Sequence, residues 1–287
     1  MAVDILTSIH NRMDSFSKGQ KRIASYIIES YDKAAFMTAN KLGKMVNVSE
    51  STVVRFAVEL GFDGYPSMQK ALQDMVRNKL TSVQRIKVAN GRFGSQDLVS
   101  MVLRADMESI RKTDETLDRQ VLEQAVDAIL EARNIYIVGV RSSAAIATFM
   151  SFYFRNIFDN VHLIDPTATS EMLEQMLHVS KDDVVIGISL PRYSSRTVKV
   201  LEFAHDNGAQ VVVITDSKDA PAAKRANFTL VAKSEMVSVV DSLVAPMSLV
   251  NALIVAIGRR KEQECSRVFQ NLERIWEEYE VYERIES

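Results

Sequence analysis

Residues 38–62 read TANKLGKMVNVSESTVVRFAVELGF, a pattern that predicts a short helix, a tight turn and a second helix. The first helix spans Ala39 to Met45, with Leu42 and Met45 as its apolar anchors, and Asn47 and Val48 make the break. Ser49 is suited to cap the second helix, because its hydroxyl accepts from backbone N–H groups left free in the first turn. That helix runs from Glu50 to about Leu60 and stops at Gly61, the residue that most easily adopts the left-handed conformation past a helix end. Val54, Ala57, Val58 and Leu60 are expected to face inward, with Ser51, Thr52 and Arg55 on or near the opposite face. Small hydroxyls and an arginine near the start of such a helix suit phosphate and base-edge contacts in a DNA major groove. Helix–turn–helix pairs also occur in domains that never meet nucleic acid, so the surrounding charge matters.

Residues 1–90 carry 13 Lys/Arg against 8 Asp/Glu, a net of +5. The whole chain of 287 residues has a formal net charge of −2, which leaves −7 on the remainder. A basic N-terminal part on an acidic body favours a nucleic-acid partner. Lys44, Arg55, Lys70, Arg77 and Lys79 are candidate phosphate contacts, and Ser49, Ser51 and Thr52 complete the DNA-binding set.

The length is enough for two domains that each bury a core. The most apolar run, Leu243 to Gly258, is broken by Pro246, Ser248 and Asn251, and reads as a buried helix rather than a membrane span. No cleavable signal is evident, and a cytoplasmic location without membrane attachment is the expectation. Cys265 is the only cysteine, which excludes intrachain disulfides and thiolate metal clusters. With four histidines and no ligand-spaced cluster, neither a metal nor another cofactor is expected.

Outward from the opening stretch, the first 76 or so residues read as all-helical, with apolar positions Ile5, Ile9 and Met13 and then Ile23, Tyr26 and Ile27 at helical spacing. Residues 81–96 lack a period and read as a linker, followed by amphipathic helices at Asp97–Lys112 and Asp118–Arg133. The expected organisation is a helix-turn-helix domain at 1–78, a linker and connecting helix at 79–105, and an α/β domain at 106–287. Five apolar runs in that last part, Ile135–Val138, Val161–Ile164, Val184–Ile188, Val211–Ile214 and Phe228–Val231, alternate with segments long enough to cross over. Such alternation predicts a five-stranded parallel sheet with helices on both faces, and with its ligand edge where the strands end.

Two turns on that edge are rich in chemistry. Val138-Gly139-Val140-Arg141-Ser142-Ser143 leaves a strand through a glycine and opens a helix with two serines, a setting that favours an anion. Gly187-Ile188-Ser189-Leu190-Pro191-Arg192-Tyr193-Ser194-Ser195-Arg196-Thr197 is dense in hydroxyls and carries two arginines. Together they suit a phosphate monoester, although a polar turn with helix-capping serines is the alternative. Glu171, Glu174 and His178 are the groups nearest this edge for an aldose–ketose isomerase, the rival reading to a regulator.

Three pieces, LGKMVNVSESTVVRFAVELGFDGYPSMQKAL, IYIVGVRSSAAIA and VVIGISLPRYSSRT, occur in that order. Through them the chain resembles the RpiR-type family of bacterial transcriptional regulators, which join a helix-turn-helix domain to a sugar isomerase (SIS) domain of flavodoxin-like build. The resemblance implies a homodimer or homotetramer that binds double-stranded operator DNA and senses a phosphosugar effector. It places Ser142 and Ser143 at the first phosphate-contacting serines, Ser189 at the start of the second loop and Thr197 at its closing threonine. The usual second loop, Ser-x-Ser-Gly-x-Thr, is lengthened here by Leu190-Pro191-Arg192-Tyr193, and Ser195 stands near the usual glycine. Arg141 replaces a small residue in the first turn.

Overall fold

The computed structural model describes residues 5–79, 83, 97–236 and 240–283. The expected linker at 81–96 lies outside the described residues apart from Val83, as do the side chains of Arg77 and Lys79. Contacts divide the chain into two units, one of Met1–Leu98 with Met236–Asp241, the other of Val99–Glu235 with Ser242–Ser287.

The first unit is helical: α1 (Ile5–Asn11), α2 (Lys18–Glu29), α3 (Tyr31–Ala34), α4 (Ala39–Met45), α5 (Glu50–Glu59) and α6 (Tyr65–Lys79). Ser17 starts α2 with a capping box, its side chain accepting from the Gln20 N–H while the Gln20 side chain accepts from the Ser17 N–H. Ile9, Ile23, Ile27, Leu42, Phe56, Met68 and Leu72 form the fully buried centre. Tyr65 closes it from α6 by donating to the Met37 carbonyl at 2.6 Å, and burial pushes its phenol up to about 12.

The helix, turn and helix stand where the opening stretch predicts them, but their inward residues differ. On α5 the buried side chains are Val53, Phe56 and Ala57, whereas Val54 and Val58 are 38% and 55% exposed. Both Val53/Phe56/Ala57 and Val54/Ala57/Val58 have helical spacing. Phe56 decides between them, since burying the ring against Phe16 at 5.1 Å turns Val54 and Val58 to solvent. Met45 is likewise exposed, and α4 is anchored by Ala39 and Leu42, with Val46 just beyond it.

The second unit begins with α7 (Leu98–Thr116) and α8 (Arg119–Glu131). It continues as β1 (Ile135–Gly139), α9 (Ser143–Phe154), β2 (Val161–Leu163), α10 (Thr169–Glu174), β3 (Val184–Ile188), α11 (Ser195–Asp206), β4 (Gln210–Thr215) and β5 (Phe228–Val231). Helices α12 (Val244–Arg260) and α13 (Glu262–Glu278) follow. The five strands are all parallel in the order β2-β1-β3-β4-β5. Helices α8, α9 and α12 cover one face with Ile137, Ile186, Ile188 and Ile214, while α10 and α11 cover the other with Val138, Val185, Val211 and Val213. The apolar run 243–258 is the buried helix α12. Among the described residues no helix is long and apolar enough to cross a membrane.

Candidate functional site

In this strand order the winding across the sheet reverses between β1 and β3. The helix after β1 lies on one face and the helix after β3 on the other, so a crevice opens between their starts at the carboxyl edge of the sheet. The two serine-rich turns are the connections that border it.

The β1–α9 turn is held close by glycine. A Cβ at Gly139 would lie 2.5 Å from the Ser143 carbonyl oxygen and 3.0 Å from the Ala147 Cβ, so only hydrogen lets the helix approach. Arg141 adopts a left-handed conformation with φ 59°, and Ser142 occupies the N-cap of α9 without a side-chain capping bond. Ser194 stands at the N-cap of α11, again with no side-chain capping bond. Helix capping therefore does not account for either hydroxyl. Arg141 and Ser142 are exposed, while Ser143 is buried.

The longer β3–α11 turn is anchored from three sides. Leu190 is buried in the sheet core, and the Tyr193 hydroxyl donates to Asp216 at 2.8 Å. Arg196 donates to the carbonyls of Pro166 and Thr167 at 3.2 and 2.5 Å, tying the turn after β2 to the start of α11. Arg192 lies at the bend with φ 62° and is exposed, as is Ser195. The residues that lengthen this loop thus pack it down and leave one arginine outside.

Below the turn lie three buried hydroxyls, on Ser189, Thr197 and Thr215, that have no hydrogen-bond partner among the described residues. Strand register pairs Ile188 with Ile214, so Ser189 and Thr215 are next along adjacent strands, and alternation puts both on the α11 side of the sheet. Leu201 of α11 fills the space above Gly187. Thr197 is one helical turn before Leu201, about 6 Å back along α11, close to the rise between Gly187 and Ser189. The three hydroxyls therefore occupy one level of the fold, and a buried hydroxyl without a partner is costly unless something fills the site. Thr215 was not apparent in the sequence, where it reads as the end of a β-branched run.

Glu171 and Glu174 on α10 and His178 after it are exposed. His162 stacks on Tyr136 with ring centroids 4.9 Å apart, a packing role. Among the described residues no cluster suited to a metal ion occurs.

In the helical unit, Ser49 accepts from the Thr52 N–H at 3.2 Å, and its hydroxyl lies 2.9 and 2.8 Å from those of Ser51 and Thr52. Asn47 makes the turn with φ 54°. A Cβ at Gly43 would sit 2.8 Å from the Val48 carbonyl oxygen, so that glycine lets the two helices close. Lys44, Ser51 and Arg55 are exposed, and the Arg55 side chain donates to the Ser51 carbonyl at 3.3 Å. Lys70 is exposed on a separate helix, α6. Residues missed in the sequence lie on α2. Lys18, Lys21 and Arg22 line an open groove that continues to Met45 and Asn47 of the turn, with Glu29 as its one acidic lining residue. The start of α2 is beside α5, since a Cβ at Gly19 would touch Thr52 and Val48 at 3.5 Å. Three cations within five residues were the available signal.

Comparison with known proteins agrees with both halves. Residues 3–79 match the helix-turn-helix domain of the rpiR family, and residues 128–256 match the SIS domain. An uncharacterized HTH-type transcriptional regulator of Caldanaerobacter subterraneus subsp. tengcongensis is 23% identical over 276 residues, covering 93% of this chain and 95% of that one. The sugar isomerase domain of an RpiR transcription factor from Sphaerobacter thermophilus superposes with a TM-score of 0.60 at 27% identity, over 62% of this chain and 99% of that one. The Vibrio vulnificus NanR protein, solved with ManNAc-6P, shares the fold at a TM-score of 0.59 and 20% identity, over 94% and 97% of the two chains. This chain, a helix-turn-helix domain of the rpiR type joined to a SIS domain, belongs to the RpiR-type family of transcriptional regulators.

Proposed function

We propose that the protein is a DNA-binding regulator of carbohydrate metabolism whose SIS domain senses a phosphorylated sugar. It acts in the cytoplasm as a homodimer or homotetramer, without a cofactor. The effector's phosphate lies in the crevice between the β1–α9 and β3–α11 turns. Gly139 lets the backbone come close, and Ser142, Ser143, Ser189, Ser194, Ser195 and Thr197 supply hydroxyls. Arg141 and Arg192 add charge-assisted contacts at the rim. The observation that carries this reading is the set of buried hydroxyls without partners on Ser189 and Thr197, joined by Thr215. A tetrahedral anion with several acceptor oxygens satisfies such donors together. The ManNAc-6P in the NanR structure supports the phosphosugar class.

On DNA, α5 enters the major groove with Ser51, Thr52 and Arg55 toward it and Ser49 at its start. Lys44 and Lys70 contact phosphates, helped by the cationic groove of Lys18, Lys21 and Arg22. Effector and operator are coupled because each favours one arrangement of the recognition helices.

The alternative is a phosphosugar isomerase. Two assays on one sample separate the readings: thermal-shift titration with a panel of aldose and ketose phosphates, and NMR of the same mixtures over hours. A regulator is stabilised by one phosphosugar and leaves it unchanged. Turnover of that sugar without DNA would make the protein an isomerase.

A further inference from the structure

The recognition helix has two opposite faces. Val53, Phe56 and Ala57 are buried, and the arc of about 100° on the far side carries Ser51, Val54, Arg55 and Val58. Two of those four are exposed apolar side chains, and Val54, at the edge of the arc beside Ser51, is in the half of the helix that reaches base edges. It does not belong to the helical core. As a β-branched residue it forms helix less readily than alanine. The floor of a major groove offers one apolar group along its base edges, the C5-methyl of thymine.

We infer that Val54 reads a thymine methyl group in each operator half-site, giving an A·T preference at one position. The inference rests on the DNA-regulator reading and adds the base that the helix selects. Ser51 and Arg55, next to it on the same exposed arc, supply polar contacts to neighbouring edges or phosphates, so Val54 accounts for the apolar part of the recognition. It is a specificity determinant: burying its methyls against the thymine methyl discriminates T from every base that lacks that group.

The test uses the full chain. Duplexes bound by the protein are selected from a random-sequence library, and affinity for the enriched site is measured by fluorescence anisotropy. Each dT is then replaced in turn by dU, which removes the methyl and nothing else. At one position per half-site the wild-type protein is expected to bind about four-fold more weakly to dU, the loss of one buried methyl. Val54→Ala is expected to bind the dT site more weakly by a similar factor and to bind dT and dU alike. Alanine is the better helix former at an exposed site, so this variant keeps its fold. If Val54→Ala retains the full dT/dU difference, or if no dT responds in the wild type, the assignment of Val54 is overturned while DNA recognition stands. If no duplex is enriched over random DNA, the regulator reading itself is overturned, and this inference with it.

Discussion

The two edges of the SIS sheet are built on opposite principles. At the edge where the strands begin, Asp183 is fully buried yet satisfied. Arg133 donates to both its carboxylate oxygens at 3.0 and 2.7 Å, Asn134 donates at 2.9 Å and the Ser180 N–H at 2.8 Å. Burial works against the charge of Asp183, but these donors outweigh it and hold its carboxyl below the ordinary value of 3.8. At the edge where the strands end, the buried Ser189, Thr197 and Thr215 hydroxyls lack partners, and two arginines adopt left-handed backbone conformations. One edge spends its polar groups on stability. The other anchors its longer turn through Tyr193 and Arg196 but keeps these three hydroxyls uncommitted at a cost to stability, the feature on which the proposed effector site rests.

Substitutions at each edge should therefore separate stability from binding. The largest effect is expected from Ser189→Ala with Thr197→Val. Effector affinity falls by about 100-fold or more, since each removes a hydrogen bond to a charged group, while the urea midpoint holds or rises, because two unpaired buried hydroxyls are gone. Calorimetric titration with the sugar phosphate found in the panel reads the first, and equilibrium unfolding the second. A matching loss of stability would mean these hydroxyls hold the fold. Asp183→Ala should do the converse, lowering stability by about 2 kcal/mol through the stranded Asn134 and Ser180 donors, with effector affinity in the surviving folded protein unchanged. The exposed side of Arg133 limits that cost, because its guanidinium can return to water. Gly139→Ala should affect both properties. The new methyl forces α9 away from β1, costing about 1–2 kcal/mol and weakening effector binding, as unfolding and titration of one variant would record.

The smallest effect is a pH slope. The carboxyl of Asp183 has its pKa depressed on folding, so its stabilisation is complete above its unfolded value near 3.8 and fades as pH falls through the lower folded value. Urea midpoints measured stepwise downward from about pH 5 should fall more steeply for the wild type than for Asp183→Asn. Parallel slopes would show that the Arg133–Asp183 clamp contributes nothing to acid stability.

Most of the architecture is legible in the sequence because it depends on periodicity. The five strands fall within one residue of the apolar runs, since strands covered on both faces need unbroken hydrophobic stretches. Ser49 as N-cap and Gly61 with φ 94° follow from local backbone chemistry. The face of α5 is not legible in the same way. Two valine registers satisfy a helical period, and only the partner of Phe56, supplied by Phe16 from forty residues earlier, selects one. Thr215 illustrates a second limit. In sequence it completes a run of β-branched residues, and its place beside the other unpaired hydroxyls appears only when β4 is laid beside Ser189 of β3. Lys18, Lys21 and Arg22 are legible as charge but not as neighbours of the helix-turn-helix, because the approach of α2 to Val48 and Thr52 is tertiary.

The central claim is that the site at the end of the strands controls the DNA-binding helix. The most direct measurement is the anisotropy of a labelled operator duplex with the full chain, titrated with and without the sugar phosphate that stabilises it, for the wild type and for Ser189→Ala/Thr197→Val. Coupling predicts that the sugar phosphate shifts operator affinity of the wild type by about 5- to 150-fold and leaves that of the variant unmoved. Equal affinity with and without the sugar in the wild type, or an undiminished shift in the variant, would contradict it.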